Sequence, residues 1–119
     1  MTAFKVGDVV SVEFPFSDLQ THKRRPGLVL VSGDVDLLVA RLTTHPPRES
    51  SDVLLKRWSE VGLPRASTVR LTKLATIDQR LVHHKVGRLH PEDGRTIAQA
   101  LQQMTNAFAA EFPRQATPP

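Results

Sequence analysis

The sequence predicts an α+β, mostly β fold in which a short antiparallel sheet is covered at one end or face by a C-terminal amphipathic helix. Three observations carry that prediction. Val10, Val12 and Phe14 alternate with Val9, Ser11 and Glu13, the period-2 pattern of a strand with one buried face. Two apolar runs, Gly27 to Val31 and Val35 to Thr44, flank the turn sequence Ser32-Gly33-Asp34, which reads as a tight hairpin. Ile97, Leu101, Met104, Phe108 and Phe112 recur at helical spacing down one face.

In chain order, the first strand spans about 8–14, and Pro15, without an amide hydrogen, marks its end. Phe16 to Arg25, FSDLQTHKRR, is a polar connection longer than a tight hairpin needs, and loops of this kind often carry function. Pro26 then opens a strand apolar on both faces, Gly27 to Val31, which implies burial on both sides. Gly33 is expected to supply positive φ in the turn that follows. On the return strand, Val35, Leu37, Val39, Arg41 and Thr43 share one face. His45-Pro46-Pro47 ends that strand, and Asp52 to Leu55 reads as a short one. Lys56 to Val61 is a helical turn or wide bend that sets Trp58 on the core, closed by Gly62 and Pro64. Ser67 to Leu71 alternates, Thr72 to Gln79 fits neither pattern cleanly, and Val86 to Leu89 is a last brief strand. His90-Pro91-Glu92-Asp93 has the proline and acids of a helix N-terminus.

At 119 residues one domain over 1–112 is expected, with 113–119 a disordered tail. Cysteine is absent, which removes disulfides, thiolate metal sites and cysteine nucleophiles, and favours a reducing, cytoplasmic setting. No apolar run reaches the roughly 18 residues that span a bilayer, and the N-terminus lacks a signal-peptide pattern; no membrane partner is expected. The formal charge is +4. Its excess is local: Arg65, Arg70, Lys73, Arg80, Lys85 and Arg88 stand against Asp78 alone between Val61 and His90. Such a band reads either as a solvated face or as the footprint of a polyanionic partner.

Several residues could carry chemistry. Lys23-Arg24-Arg25 lies where a loop meets a rigid strand, so it is either a solvated basic turn or a phosphate site. Arg25, fixed beside Pro26, is the best positioned of the three, and its planar fork suits a phosphate bidentately. Thr43 is an ordinary strand residue by propensity; its hydroxyl can also hold a phosphate oxygen or orient an attacking hydroxyl. Antiparallel pairing of the two apolar strands brings the start of one, Arg25, toward the end of the other, Thr43. Arg41, on the same face, is a second phosphate contact or an ion-pair partner of Asp8 or Glu13. Among His22, His45, His83, His84 and His90 no ligand set is evident, so no metal is expected, but His22 and His45 border the Arg25–Thr43 region and can shuttle protons. Phe14 and Phe16 are core and loop anchor or base-stacking rings. Ser50, Ser51 and Ser67 lack any motif of an activated nucleophile.

The segments GDVVSVEFPFSD, KRRPGLVLV, VARLTTH, GLPRASTVRLTKLATID and VGRLHPED resemble, in order and from Lys5 to about Gln103, the PemK/MazF family of toxin endoribonucleases, the toxic halves of type II toxin–antitoxin pairs. The resemblance implies an SH3-like small barrel of the CcdB/MazF kind with added helices, and a homodimer. It also implies metal-independent cleavage of single-stranded RNA, with messenger RNA the expected substrate and no cofactor. Carried over by position, the arginine of the family's RP motif is Arg25 and its catalytic Thr/Ser is Thr43. In such enzymes the ribose 2′-hydroxyl attacks the adjacent phosphorus, leaving 2′,3′-cyclic phosphate and 5′-hydroxyl ends; Arg25 would stabilise the charged phosphorane and Thr43 would hold a phosphate oxygen or the nucleophile. Phe16, Gln20, His22, Lys23, Arg24, Arg41, His45 and Arg80 are the expected RNA-binding residues. A cognate acidic antitoxin would insert a partly disordered segment into the same groove. Arg41 departs from the expected apolar residue, and the loop FSDLQTHKR has its own composition. A rival from another class is a non-catalytic inhibitor on this fold that binds a protein such as gyrase; retention of both Arg25 and Thr43 favours the nuclease. A third reading is an RNA-binding module whose catalysis has lapsed.

Overall fold

In the computed structural model, which describes residues 3–14 and 23–115, the alternating and doubly apolar runs become strands. Among these residues they are β1 (Asp8–Glu13), β2 (Arg24–Ser32), β3 (Asp36–Thr43), β4 (Asp52–Leu54), β5 (Thr68–Asp78) and β6 (His84–Arg88). A short helix, α1 (Trp58–Val61), follows β4, a 3-10 turn at Gln79–Leu81 follows β5, and α2 (Pro91–Glu111) closes the described chain. The strands form one sheet in the order β4-β5-β3-β2-β1-β6, every pair antiparallel. The α+β, mostly β class expected from the sequence is the one observed.

Alternation gives the sheet two apolar faces. Val9, Leu28, Ala40, Leu42, Val53, Val69 and Leu71 pack beneath the helices, with Ile97 of α2 and the half-buried Trp58, Leu101 and Met104. The other face carries Val10, Val12, Val29, Leu37, Val39, Ala75 and Ile77, covered by Phe4, Phe14 and Val82. Besides a register shift between β1 and β6 at Val9/Val10, two irregularities interrupt the ladders on either side of β3. Leu30 is unpaired between Val29↔Val39 and Val31↔Leu38. In β5 the register jumps from Ala40↔Leu74 to Arg41↔Arg70, so 71–73 bulge out and the Leu71 amide donates to Ser51 O at 3.3 Å instead. That bulge swaps the face of β5's odd-numbered residues, Val69 and Leu71 entering the helix-side core and Ala75 and Ile77 the opposite one, with 72–74 exposed between them, so no single pattern fits Thr72 to Gln79.

Several expectations shift. Strand β2 starts at Arg24, two residues before Pro26, because it still has β1 to pair with there. The β2–β3 turn is tight, with the Gly33 amide donating to Asp36 O at 2.9 Å. Gly33 does not use positive φ, which among the described glycines belongs to Gly7 and Gly62. What Gly33 supplies is room, since an added Cβ would lie 3.0 Å from Asp36 O. Gly62 ends α1 in the left-handed region at φ 102°, as a helix-terminating glycine does.

Helix α2 begins with Pro91 in its first turn, and His90 caps it by accepting the Glu92 amide at Nδ1, 3.0 Å. Asp93 goes further than dipole complementarity. Fully buried, it accepts the Lys56 and Arg57 amides, each at 2.9 Å, and so ties α2 to the segment entering α1. The apolar stripe of α2 outruns the sheet: Ile97 is buried and Leu101 and Met104 half-buried, but Phe108 and Phe112 are exposed and touch each other with ring centroids 5.5 Å apart. A helix of 21 residues is about 32 Å long, more than a sheet of this width can cover. Of the expected tail, Pro113 to Gln115 follow α2, and 116–119 lie outside the described residues, as do Pro15 and most of the β1–β2 connection.

Candidate functional site

Pro26 creates the site. It has no amide hydrogen for a second ladder, and β2 pairs with β3 only from Gly27↔Arg41 to Ser32↔Leu37. Arg24, Arg25 and Pro26 pair with β1 alone, opposite Glu13, Val12 and Ser11. Leu42 and Thr43 pair with β5 alone, opposite Val69 and Thr68. The sheet therefore parts between the start of β2 and the end of β3. A cleft of about 140 Å³ occupies the opening, with Arg25 and Pro26 on one side, Arg41 through His45 on the other, and Ser67 completing the lining.

Continuing the register two residues past Gly27↔Arg41 puts Arg25 across from Thr43, and alternation gives both the face of Val29 and Val39. The exposed guanidinium of Arg25 and the half-buried hydroxyl of Thr43 thus share one cleft. The Thr43 Oγ1 already accepts the His45 amide at 3.2 Å. Its own proton is then the part left to give, so toward a bound anion Thr43 is a donor. Gly27 holds the two sides at their spacing. A Cβ there would fall 2.3 Å from Val39 Cγ1 and 2.8 Å from Phe14 Cζ, because the Phe14 ring lies over the glycine; Phe14 is the core residue of its two expected alternatives.

Positive charge concentrates on this face. Arg41 is half-buried and lines the cleft. Burial, then repulsion from Arg25 and from Arg70, holds its guanidinium below the usual arginine range. Arg70 sits directly opposite Arg41 in β5 and opposite Asp52 in β4. Its Nε is 3.5 Å from Asp52 Oδ1, in a pair whose side chains are 18% and 1% exposed. Asp52 also accepts the Arg48 and Glu49 amides at 3.0 and 3.3 Å, which anchors the loop after His45.

Of the residues expected from sequence, the cleft brings together Arg25, Thr43, Arg41 and His45. Lys23 and Arg24 are exposed beside it without lining it; alternation turns Arg24 to the opposite side from Arg25. Arg80 is elsewhere. Its neighbour Asp78 pairs with Asp36, at the end of β3 remote from Thr43, and Asp78 grips it through Nη2–Oδ2 at 2.8 Å and Nε–Oδ1 at 3.1 Å. Hydrogen bonds from the Arg80 side chain and amide lower the Asp78 carboxyl to about 2. Phe16, Gln20 and His22 lie outside the described residues.

Three cations of the basic band are engaged by carboxylates far away in sequence. Lys85 and Arg88 reach the buried Asp8 at 3.3 and 3.1 Å, and Arg70 reaches Asp52. Asp8 is thereby engaged by β6. Sequence reasoning placed Arg70 in the basic band but did not set Arg70, Asp52 or Ser67 beside Arg25 and Thr43, because the register of Thr68-Val69-Arg70-Leu71 against β3 was not legible. Among the described residues, no three His, Cys, Asp or Glu side chains group as metal ligands would, and no helix is long and apolar enough to cross a membrane.

The fold is shared with solved structures. An endoribonuclease in complex with its cognate antitoxin, from mycobacterial species, is 20% identical over 95% of this chain and 100% of its own, with a TM-score of 0.67. A second endoribonuclease from mycobacterial species is 21% identical over 97% and 98%, TM-score 0.65. The Mycobacterium tuberculosis toxin MazF-mt6 is 19% identical over 83% and 96%, TM-score 0.66. At these identities the likeness is one of fold. No curated protein matches the chain in sequence. A family model does match, over residues 5–105, nearly the whole described chain. Sequence and fold thus agree that this chain belongs to the PemK-like, MazF-like toxins of type II toxin–antitoxin systems.

Proposed function

We propose that this toxin is a metal-independent endoribonuclease that cuts single-stranded RNA by transesterification at the cleft between β2 and β3. One observation carries the reading: where Pro26 parts the sheet, a guanidinium, Arg25, and a hydroxyl donor, Thr43, line opposite sides of a single cleft. The ribose 2′-oxygen attacks the adjacent phosphorus and the bond to the 5′-oxygen breaks, giving a 2′,3′-cyclic phosphate and a 5′-hydroxyl. The proton lost by the 2′-hydroxyl passes to solvent or to His45, whose imidazole borders the cleft, and the leaving 5′-oxygen takes one up. Charge grows on the nonbridging oxygens as phosphorus becomes five-coordinate. Arg25 meets that charge with a planar pair of N–H donors, and Thr43 adds a third, so stabilisation is greatest at the transition state.

The same cationic opening suits an acidic segment of a cognate antitoxin, which would block RNA by occupying it. The neighbouring structure solved with its antitoxin supports a partner of that kind. A homodimer acting on messenger RNA in the cytoplasm completes the reading. The test is incubation of purified protein with a long single-stranded RNA in EDTA. Fragments with 5′-hydroxyl and 2′,3′-cyclic phosphate ends are expected; intact RNA, or ends bearing 5′-phosphate, would reject the mechanism.

A further inference from the structure

Thr68 stands directly across from Thr43 in the β3–β5 ladder, so the two side chains share a face. It is 1% exposed, and its hydroxyl has no hydrogen-bond partner among the described residues. A buried hydroxyl left unpaired is destabilising, and a valine of the same shape would avoid the cost; its presence beside Thr43 therefore calls for a chemical reason. The neighbours narrow that reason. On its other side Thr68 faces Leu54 of β4, which has no polar side-chain group. Along its own strand and on its own face, Arg70 can only donate, and Ala66 offers nothing. Asp52, diagonal to it in β4, is already engaged by Arg70 and two loop amides. Thr43 is left. Its Oγ1 accepts the His45 amide with one lone pair, and giving its hydrogen to a phosphate leaves the second lone pair without a donor. Thr68 has the hydrogen that fills it. The Cβ atoms of directly opposed residues lie about 4.5–5.5 Å apart, close enough for the two hydroxyls to meet after a change of χ1 rotamer.

Resting on the ribonuclease reading above, we propose that Thr68 is a positioning residue for Thr43. When Thr43 gives its hydrogen to the scissile phosphate, the Thr68 hydroxyl donates into the Thr43 oxygen from the strand behind. The Thr43 rotor is then fixed with its hydrogen aimed into the cleft, and each hydrogen bond of the chain from Thr68 through Thr43 to the phosphate polarises the next. No proton is transferred; both hydroxyls keep their hydrogens. The chain strengthens as charge grows on the phosphate oxygens, so Thr68 acts on the cleavage step more than on binding.

The test is single-turnover cleavage of a single-stranded RNA, paired with urea unfolding of the same variants. Thr68→Val keeps the shape and removes the unpaired hydroxyl. It should be at least as stable as wild type and yet cut about 3- to 10-fold more slowly at saturating RNA, the range of one neutral hydrogen bond, with the half-saturating RNA concentration unchanged. Thr68→Ser keeps the hydroxyl and loses a buried methyl, so it should be less stable and cut faster than Thr68→Val. A merely structural residue would not separate rate from stability in this way. In a Thr43→Val background, Thr68→Val should cause no further loss. Thr68→Ser no faster than Thr68→Val would overturn the proposal, as would an equal loss with the Thr43 hydroxyl already gone. A Thr68→Val protein less stable than wild type would also overturn it, since the hydroxyl would then be bonded in the free protein. RNA left intact by the wild type rejects the ribonuclease reading and this assignment with it; RNA cut equally fast by wild type and Thr68→Val rejects the assignment alone.

Discussion

Asp93→Ala should be among the most damaging single substitutions in this protein, though Asp93 touches no part of the cleft. Its side chain is buried, and each oxygen takes one amide at 2.9 Å, from Lys56 and from Arg57. Removing the carboxylate strands both amides beside the helix-side core. A hydrogen bond to a charged acceptor contributes about 1.5–3 kcal/mol net, which sets an upper range of about 3–6 kcal/mol for the two. Lys56 and Arg57 are exposed enough for water to re-solvate their amides in part, so about 3–4 kcal/mol is expected. For a chain of this length the matching fall in Tm is about 10–20 °C. Asp93→Asn retains one acceptor oxygen and should lose clearly less. The single tryptophan, Trp58, follows the clamped segment directly and packs on the helix-side core, so its fluorescence reports urea unfolding at the right place. An Asp93→Ala loss below about 1 kcal/mol at unchanged m-value would refute the clamp. So would an equal loss in Arg57→Ala, which removes surface ion pairs to Glu92 at 3.0 Å and Glu60 at 3.7 Å, an interaction class that contributes little.

Gly27→Ala should destabilise by about 1–3 kcal/mol, because its Cβ would overlap the fully buried Val39 and the Phe14 ring at 2.3 and 2.8 Å; a variant as stable as wild type by urea titration would contradict the close packing described. Thr43→Ser should keep most RNA cleavage and Thr43→Val should lose about 10²–10³-fold, since the role needs the hydroxyl and not the methyl; equal rates for the Val and Ser variants would remove Thr43 from the chemistry. For Asp8, burial pushes the carboxyl up, but the Lys5 amide, Lys85 and Arg88 outweigh it and hold the group below its ordinary value. Its contribution is therefore complete above pH 3.8 and is lost as pH falls through the lower folded value. The stability gap between wild type and Asp8→Asn, about 1–3 kcal/mol near neutrality, should narrow on acidification below that point; a gap that widens there would reverse the assignment.

The hairpin that sets Arg25 across from Thr43 was legible because it is local. Two apolar runs and a short turn fix the pairing of β2 with β3, and alternation does the rest. Pro26 was legible as a strand position without a donor, but its consequence was not, since the parting of the sheet depends on β1 and β5 continuing to pair on either side. Long-range features were closed to local reading. The bulge at 71–73 is set by a bond from Leu71 to Ser51, and the partners of the basic band, Asp8 and Asp52, lie in a half of the chain whose charges look balanced. Phe108 and Phe112 keep the helical period of Ile97 and Leu101, yet periodicity cannot say where the sheet beneath them ends. In the sequence Asp93 reads only as a dipole-complementing acid, because its two amide partners lie 36 and 37 residues earlier.

The claim on which the functional account turns is that Arg25 stabilises the phosphorane in the cleft opposite Thr43. Single-turnover cleavage of a single-stranded RNA by Arg25→Ala measures this most directly, since Arg25 is exposed and its removal should leave the sheet intact. A fall of about 10²–10³ in the cleavage rate, or about 2.7–4 kcal/mol of transition-state stabilisation, is expected with an unchanged unfolding midpoint. Cleavage at the wild-type rate would contradict it.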